Sequence, residues 1–484
     1  MTGKSNLDLM NYIGGEFVPH STKEWLDVVE PATGVCYARV PLSNTEDIDA
    51  AVKAANLAKR EWGSLSLEER SAWLDKIADA LESRFEEIAS LESRDTGKPI
   101  AIARSVDAKR SIANFRFFAD LIRGHSEEKF EMSDATNIVV SKPVGVGALI
   151  TPWNLPLYLL SWKVAPAIGM GNTVVCKPSE LTPMTADLLM RVIDEVGLPA
   201  GVVNLVHGDG AGAGSPLVAH QGVDLVSFTG GTSTGEKVAK SASSSFKKLS
   251  LELGGKNSSI VFSDCDFEST IAGVVRAAFL NQGQVCLCGS RILVEDEIYE
   301  SFKLSFVEAV EKMRIGDPSD ELTELGALIS KDHIQKVMGY VNLAKNEGGK
   351  ILTGGKPCLP SEFEGGYWMA PTVIENVDYN SKCSTEEIFG PVVTLHPFED
   401  EMEAVEIANG TRYGLAGSVW TQDLEKGQRV SRSIETGMVW INTWLHRDLR
   451  VPFGGVKDSG VGREGGRWSM DFFSEPMNIC LKHD

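Results

Sequence analysis

The stretch DLVSFTGGTSTGEKVAK, residues 224–240, runs from an apolar, strand-like segment through paired glycines into a run of helix formers. A strand that ends in small residues and turns straight into a helix is a building unit of parallel α/β sheets. In such sheets ligands gather outside the C-terminal ends of the strands. Small residues also let backbone N–H groups at a helix N-terminus come close to an anion. Taken alone, the stretch admits several chemistries. Gly231 to Gly235 fits the G-x-S-x-G elbow of serine hydrolases, with Ser233 as nucleophile. Gly230 to Gly235 nearly makes a phosphate-binding P-loop, but Glu236 stands where lysine is required. It is also close to a dinucleotide-binding loop whose middle glycine is replaced. A plain strand-to-helix turn is the remaining reading.

Working outward, VGVGALITPW (144–153), NTVVCKP (172–178) and GVVNLVHG (201–208) are further short apolar runs that end in Gly, Pro or polar residues. MTADLLMRVIDEVG (184–197) has helical spacing between two of them. The alternation predicts a parallel sheet. A second α/β segment starts near residue 256 with SSIVF, TIAGVVRAAFL and SRILVED, and continues to about 450. Before both lie helices beginning at Thr45, at the capping-box sequence Ser66–Glu69, and near Arg110. HGDGAGAGSP (207–216) misses the dinucleotide spacing and reads as a surface turn.

At 484 residues the chain exceeds one ordinary core, and a net charge of −20 argues against nucleic acid or anionic membrane as partner. The N-terminal residues lack the apolar core of a secretory signal and no run of 18 apolar residues occurs, so a cytoplasmic location is expected. Eight cysteines, mostly isolated, do not form a disulfide framework. Cys286 and Cys288 in NQGQVCLCGSR (281–291) stand out, but no C-x-x-C or H-x-x-H partner pattern accompanies them, so no metal is expected. A catalytic thiolate needs an amide-rich or electropositive setting, which the Gly/Gln-rich stretch could supply; spacing alone does not choose between the two. Glu252, among the apolar residues and glycines of LELGGKN (251–257), is a general-base candidate.

Together with TPWNLP (151–156), KPSE (177–180), EEIFGPV (386–392) and PFGGVKDSGVGRE (452–464), these stretches make the chain resemble the aldehyde dehydrogenase superfamily over nearly its whole length. The resemblance implies that Cys286 is the nucleophile, that Asn154 and the Cys286 N–H hold the oxyanion, and that Glu252 is the general base. It further implies that Lys177 and Glu180 hold the adenosine ribose, that Gly230 and Gly231 meet the pyrophosphate, and that Trp153 lines the cofactor cleft. Glu387 and Phe389 are expected at the nicotinamide ribose and ring. NAD is the expected cofactor, because Glu180 would repel a 2′-phosphate.

Within the superfamily the chain resembles the 2-aminomuconate and 2-hydroxymuconate semialdehyde dehydrogenases, through RSIANFRFFAD (110–120), TPWNLPLYLLSWKVAP (151–166), NQGQVCLC and NTWLHRDLRVPFGG (442–455). Such substrates carry a carboxylate, for which Arg110 and Arg447 are the expected clamp, with Arg450 a competitor for the second place. A broad-range enzyme for apolar, retinal-like or betaine-type aldehydes is the alternative. A serine hydrolase using Ser233 is a remote one. The implied architecture is a Rossmann-like cofactor domain (1–123 and 142–253), a catalytic α/β domain (254–454), and a small β oligomerisation element (124–141 and 455–484) serving a homodimer or homotetramer.

Overall fold

The apolar runs around residues 224–240 form the core of an eight-stranded sheet in the computed structural model, which describes residues 7–483. Its strand order is Gly460–Val461, Lys248–Glu252, Leu225–Thr229, Val146–Ile150, Thr173–Lys177, Val203–Leu205, Asn11–Ile13, Glu16–Val18. The five strands from Lys248–Glu252 to Val203–Leu205 are mutually parallel, and antiparallel strands close both edges. Val146–Ile150 and Thr173–Lys177 are buried along their whole length, which is why they read as unbroken apolar runs rather than alternating ones. The chain leaves Val146–Ile150 toward one side, then returns to its other side at Leu225–Thr229. The crevice where ligands bind in such sheets therefore opens beyond Ile150 and Thr229.

Each face of this sheet has its own core. On one, helices Leu67–Ser83, Lys109–Arg123 and Pro156–Gly169 bring together Leu74, Ile77, Phe115, Phe118 and Ile168. On the other, Ile48, Val52 and Ala55 of helix Thr45–Ser64 pack against Val146, Val175 and Val226. The Ser66 capping box forms: the Ser66 hydroxyl accepts from the Glu69 N–H, and the Glu69 carboxylate accepts from the Ser66 N–H at 2.7 Å.

A seven-stranded sheet follows, in the order Lys350–Thr353, Thr372–Glu375, Val392–Phe398, Arg291–Glu295, Ser258–Val261, Ala416–Trp420, Met438–Ile441. Residues 253–257 lead from the C-terminal end of Lys248–Glu252 directly into Ser258–Val261. The ligand-binding edge of the first sheet thus faces the N-terminal edge of the second, where residues 281–290 precede Arg291–Glu295.

The two segments expected to form the oligomerisation element, 124–141 and 455–484, fall in different parts of the fold. Glu128–Glu131, Ala135–Pro143 and Ser474–Lys482 make a three-stranded antiparallel sheet. Gly460–Val461, however, pairs with Leu251 and Glu252 of the eight-stranded sheet. Met470 and Phe472 of helix Gly466–Phe472 join the core that holds Trp162 and Phe118. Among the described residues no helix is long and apolar enough to cross a membrane.

Candidate active site

A cavity of about 590 Å³ lies where the two sheets face each other. Its inner wall is built by the nucleophile loop. Helix Phe267–Phe279 ends, and the chain turns through Asn281 (φ 53°) and Gln282 (φ 57°), two non-glycine residues held in the left-handed region. Such positions cost about 1–3 kcal/mol each and persist only where the surroundings over-determine them. Here they do. Asn281 Nδ2 donates to the carbonyls of Asn154 (3.2 Å) and Gln284 (3.3 Å), Gln282 Nε2 to that of Ala327 (2.9 Å), and the Ile329 N–H to Gln284 Oε1 (3.1 Å). At Gly283 (φ 69°) a Cβ would stand 2.2 Å from the Gly390 carbonyl, so only glycine fits between this loop and the EEIFGPV loop.

The two cysteines that follow this turn lie in different surroundings. Cys286 is partly exposed and lines the cavity. Cys288 is 6 % exposed, packs in the core with Phe279 and Val285, and has its thiol pushed up to about 12 by burial. The Cys286 thiol is also held well above its usual range, first by burial and then by the Glu387 and Glu252 carboxylates, with Arg447 opposing. Asn154, at the end of Val146–Ile150, donates its Nδ2 to the Gln284 carbonyl at 2.9 Å. A carbonyl can only accept, so this bond fixes the amide's orientation and leaves its second N–H for the cavity, where Asn154 sits beside Cys286.

Glu252 is placed differently from a poised base. Among the described residues the cavity is lined by Leu253 and Gly254 but not by Glu252. The Glu252 carboxylate lies against Gly454, where a Cβ would come within 2.6 Å of Oε1, and neither oxygen has a hydrogen-bond partner. Burial, and then the charge of Glu464, push it well above the ordinary carboxylate range, which favours its neutral form there. Lys163 and Arg463 oppose the shift. Lys163 is itself buried, donating to Glu464 Oε1 (2.6 Å) and Ser227 Oγ (2.8 Å).

On the side of the first sheet, Trp153 meets the rings of His333 and Phe389 edge-on, both at 5.2 Å. Phe389 takes φ 62°, and its carbonyl bonds His333 Nε2 at 2.6 Å. Glu387 Oε1 accepts from the Gly255 N–H at 2.9 Å. Gly230 and Gly231 lie in the cavity wall, and a Cβ on Gly231 would meet nothing within 4 Å. Helix Thr232–Ser243, which starts there, has no side-chain cap, so its first N–H groups face open space. Lys177 and Glu180 sit two strands over from Leu225–Thr229, outside the cavity wall, joined by a 3.0 Å ion pair. Sequence reasoning missed His333 and Lys336, which approach from helix Lys331–Asn346 and carry no local motif.

The outer half of the cavity holds the expected arginines. Arg110, on helix Lys109–Arg123, lies 5.6 Å from the Tyr158 ring centroid, and Arg447 Nη1 donates to the Tyr158 hydroxyl at 3.0 Å. Burial, and Arg447 beside it, lower the pKa of Arg110. Among the described residues neither arginine has a carboxylate in ion-pair contact, and the only acidic side chain lining the cavity is Glu387. Arg450 instead pairs with Asp448 at 2.5 Å on the exposed surface, so it does not compete for the cavity. A third arginine missed by sequence reasoning, Arg276, also lines the wall and donates to the Trp444 carbonyl at 3.1 Å. Ser233 is exposed in the first turn of its helix, and among the described residues no histidine bonds it; the hydrolase reading falls. Among the described residues no group of three or more His, Cys, Asp or Glu is placed to hold a metal ion.

Residues 17–479 match the aldehyde dehydrogenase family; the chain belongs to it and is an enzyme of that family. It is 48 % identical over 482 residues to a 2-aminomuconic semialdehyde dehydrogenase of Danio rerio, covering 99 % of both chains. It is 44 % identical over 483 residues to a 2-hydroxymuconic semialdehyde dehydrogenase of Pseudomonas sp. (strain CF600), covering 98 % of this chain and 99 % of the relative. The crystal structure of betaine aldehyde dehydrogenase from Staphylococcus aureus in complex with NAD+ superposes with a TM-score of 0.96 at 38 % identity, covering 99 % of this chain and 96 % of that one.

Proposed function

We propose that this enzyme oxidises a carboxylate-bearing semialdehyde of the muconate type to the corresponding diacid, with NAD as hydride acceptor. The observation that carries the substrate reading is the pair Arg110 and Arg447. Two guanidinium groups without a carboxylate in ion-pair contact, in the half of a cavity whose wall carries no acidic side chain, favour an anionic ligand between them, although Asp448 is near enough to act on Arg110. The names of the relatives agree with it.

In this reading the Cys286 thiolate attacks the aldehyde carbon. The developing oxyanion is held by the free Asn154 N–H and the Cys286 backbone N–H, a contribution of about 3–4 kcal/mol per donor in comparable sites. NAD, when bound, would supply the hydride acceptor; collapse of the Cys286 adduct with loss of that hydride would leave a thioester on Cys286. Glu252 then turns from Gly454 toward the cavity, loses its proton and activates the water that releases the acid. The residues present suit NAD: the uncapped helix after Gly231 favours a pyrophosphate, Glu387 is held to receive a ribose hydroxyl, and Lys177 with Glu180 stands at a strand end two over from Leu225–Thr229. Glu180 disfavours a 2′-phosphate. We further propose a homodimer or homotetramer assembled through the strands Ala135–Pro143 and Ser474–Lys482, and a cytoplasmic location.

The test is a panel of aldehydes at fixed NAD, followed by NADH absorbance. A muconate-type semialdehyde is expected to exceed hexanal and betaine aldehyde by about 10²-fold in kcat/KM, the size of one or two charged hydrogen bonds. Equal values across the panel would replace this reading with a broad-range enzyme.

A further inference from the structure

The hydrogen bonds around Asn154 involve a residue that none of the site motifs contains. Lys98 lies in the short turn between helix Phe85–Thr96 and the helical segment that starts at Ile100, and it is 0 % exposed. Its Nζ makes three bonds of 2.9 Å, to Asp107 Oδ1, to Asp107 Oδ2 and to the main-chain carbonyl of Asn154. An ammonium has three hydrogens, so all are used. Glu92, also fully buried, stands 4.0 Å from the same Nζ, and its other oxygen accepts from the Leu157 N–H (2.9 Å) and the Thr185 hydroxyl (2.8 Å). Residues 154–157 are therefore held from behind by buried charges, while Asn281 holds the same Asn154 carbonyl from the nucleophile side at 3.2 Å.

Stability alone does not explain a charge pair in this place. Well-packed apolar residues commonly match or exceed a buried ion pair, which gives up two hydration shells. What the pair adds is direction: an ammonium fixed on both oxygens of Asp107 presents its last N–H along a single line. Asp107 belongs to the π-helical turn Ala103–Ala108, an irregularity often found at functional sites, and this turn leads into the helix that carries Arg110. Ser105 and Val106 of the turn line the cavity.

We propose that Lys98, clamped on Asp107, is a positioning residue that fixes the Asn154 main chain so that its free side-chain N–H points at the oxygen of the Cys286 adduct. This rests on the oxyanion reading of Asn154 given above. Lys98 touches neither substrate nor cofactor. It acts through the Asn154 backbone, and its loss weakens charge stabilisation without altering the thiol or the arginines.

The experiment compares Asn154→Ala, Lys98→Met and the double variant Lys98→Met/Asp107→Leu, which removes both members of the charge pair together should the single variant fail to fold. For each folded protein, kcat and KM for the semialdehyde are measured beside the rate at which iodoacetamide alkylates Cys286, followed by peptide mass spectrometry. Alkylation displaces iodide and forms no oxyanion, so it reports the thiol alone. The expected result for both Lys98 variants is a fall of about 10²-fold in kcat, with KM within threefold and the alkylation rate within twofold of the parent, matching Asn154→Ala. A general loosening of the site would slow alkylation and raise KM together, and that outcome overturns the proposal. So does an unchanged kcat in the double variant while Asn154→Ala is impaired. If Asn154→Ala itself retains full kcat, the oxyanion reading fails first and the proposal with it.

Discussion

The two halves of the cavity are built to opposite rules. Around Asn154 and Cys286 the main-chain carbonyls are spoken for: Asn154 Nδ2 bonds that of Gln284, the Asn154 carbonyl takes Lys98 and Asn281, and the Cys286 carbonyl takes Asn257 Nδ2 at 2.7 Å. In the outer half two guanidinium groups share the Tyr158 phenol and have no carboxylate in ion-pair contact, Asp448 acting on Arg110 only from farther off. Saturation fixes geometry where a developing charge must be met without rearrangement. Unpaired charge stores a demand that only the right ligand satisfies, since each bond to a charged group is worth about 1.5–3 kcal/mol. On the function proposed above, the reaction would reside in the saturated half and the choice of substrate in the unsaturated one.

The sharpest way to break that division is at the cysteines. Cys286→Ala should abolish NADH formation with every aldehyde, a loss on the order of 10⁴-fold or more, while Cys288→Ala should keep most turnover and cost about 1–2 kcal/mol of stability by removing a buried thiol. Retained activity in the first variant would displace the chemistry from the saturated half altogether. Next in size is Glu252→Gln. Because burial already favours the neutral carboxyl and neither oxygen is bonded, the amide should be tolerated with little change in Tm. Steady-state kcat should fall by about 10²–10³-fold, yet the first turnover should still release NADH at the parent rate, since hydride leaves before water attacks. A lost burst would make Glu252 part of the first half-reaction.

Much of this arrangement was legible in the sequence, and the omissions have physical reasons. Fully buried parallel strands such as Thr173–Lys177 announce themselves as apolar runs, and the Ser66–Glu69 cap is local by nature. Residues borne on short motifs, from Asn154 to Glu387, could be carried over because each motif is contiguous. The resemblance, rather than spacing, selected Cys286 over Cys288; what distinguishes them in the structure is that Cys286 lines the cavity while Cys288 packs into the core, which no periodicity reveals. Lys98 meets Asn154 across 56 residues, and His333 meets Phe389 across the same interval, so neither contact has a local signal. The two-residue strand Gly460–Val461 is too short to register, which is why 455–473 was assigned with the exposed arm instead of the eight-stranded sheet. Nor could the sequence reveal that Glu252 points away from the cavity, since a rotamer depends on its neighbours.

Arginine substitutions test the outer half. Arg110→Leu and Arg447→Leu should each lower kcat/KM for a muconate-type semialdehyde by about 10- to 10²-fold and leave hexanal within about threefold, read by NADH formation. Equal losses on both substrates would mean that the arginines hold the fold and not the ligand.

The smallest expected effect separates the two arginines from each other. Reaction requires the thiolate, and the Cys286 thiol is raised by burial and by Glu387 and Glu252, so kcat/KM for a neutral aldehyde should still be climbing with pH well above neutrality. Arg447 alone among the cavity arginines opposes that shift: a nearby cation favours the charged thiolate and lowers its pKa. Arg447→Leu should therefore move the rising limb to higher pH by up to about half a unit, whereas Arg110→Leu should leave it in place. Hexanal is the substrate for this profile, because it keeps carboxylate binding out of the measurement. Were both variants to shift the limb alike, the division between the halves would have to be redrawn, with Arg110 and Arg447 acting together on the thiol. A shift confined to Arg447 would make it the one residue that serves both halves, steadying the thiolate when the cavity is empty and the substrate's carboxylate when it is filled.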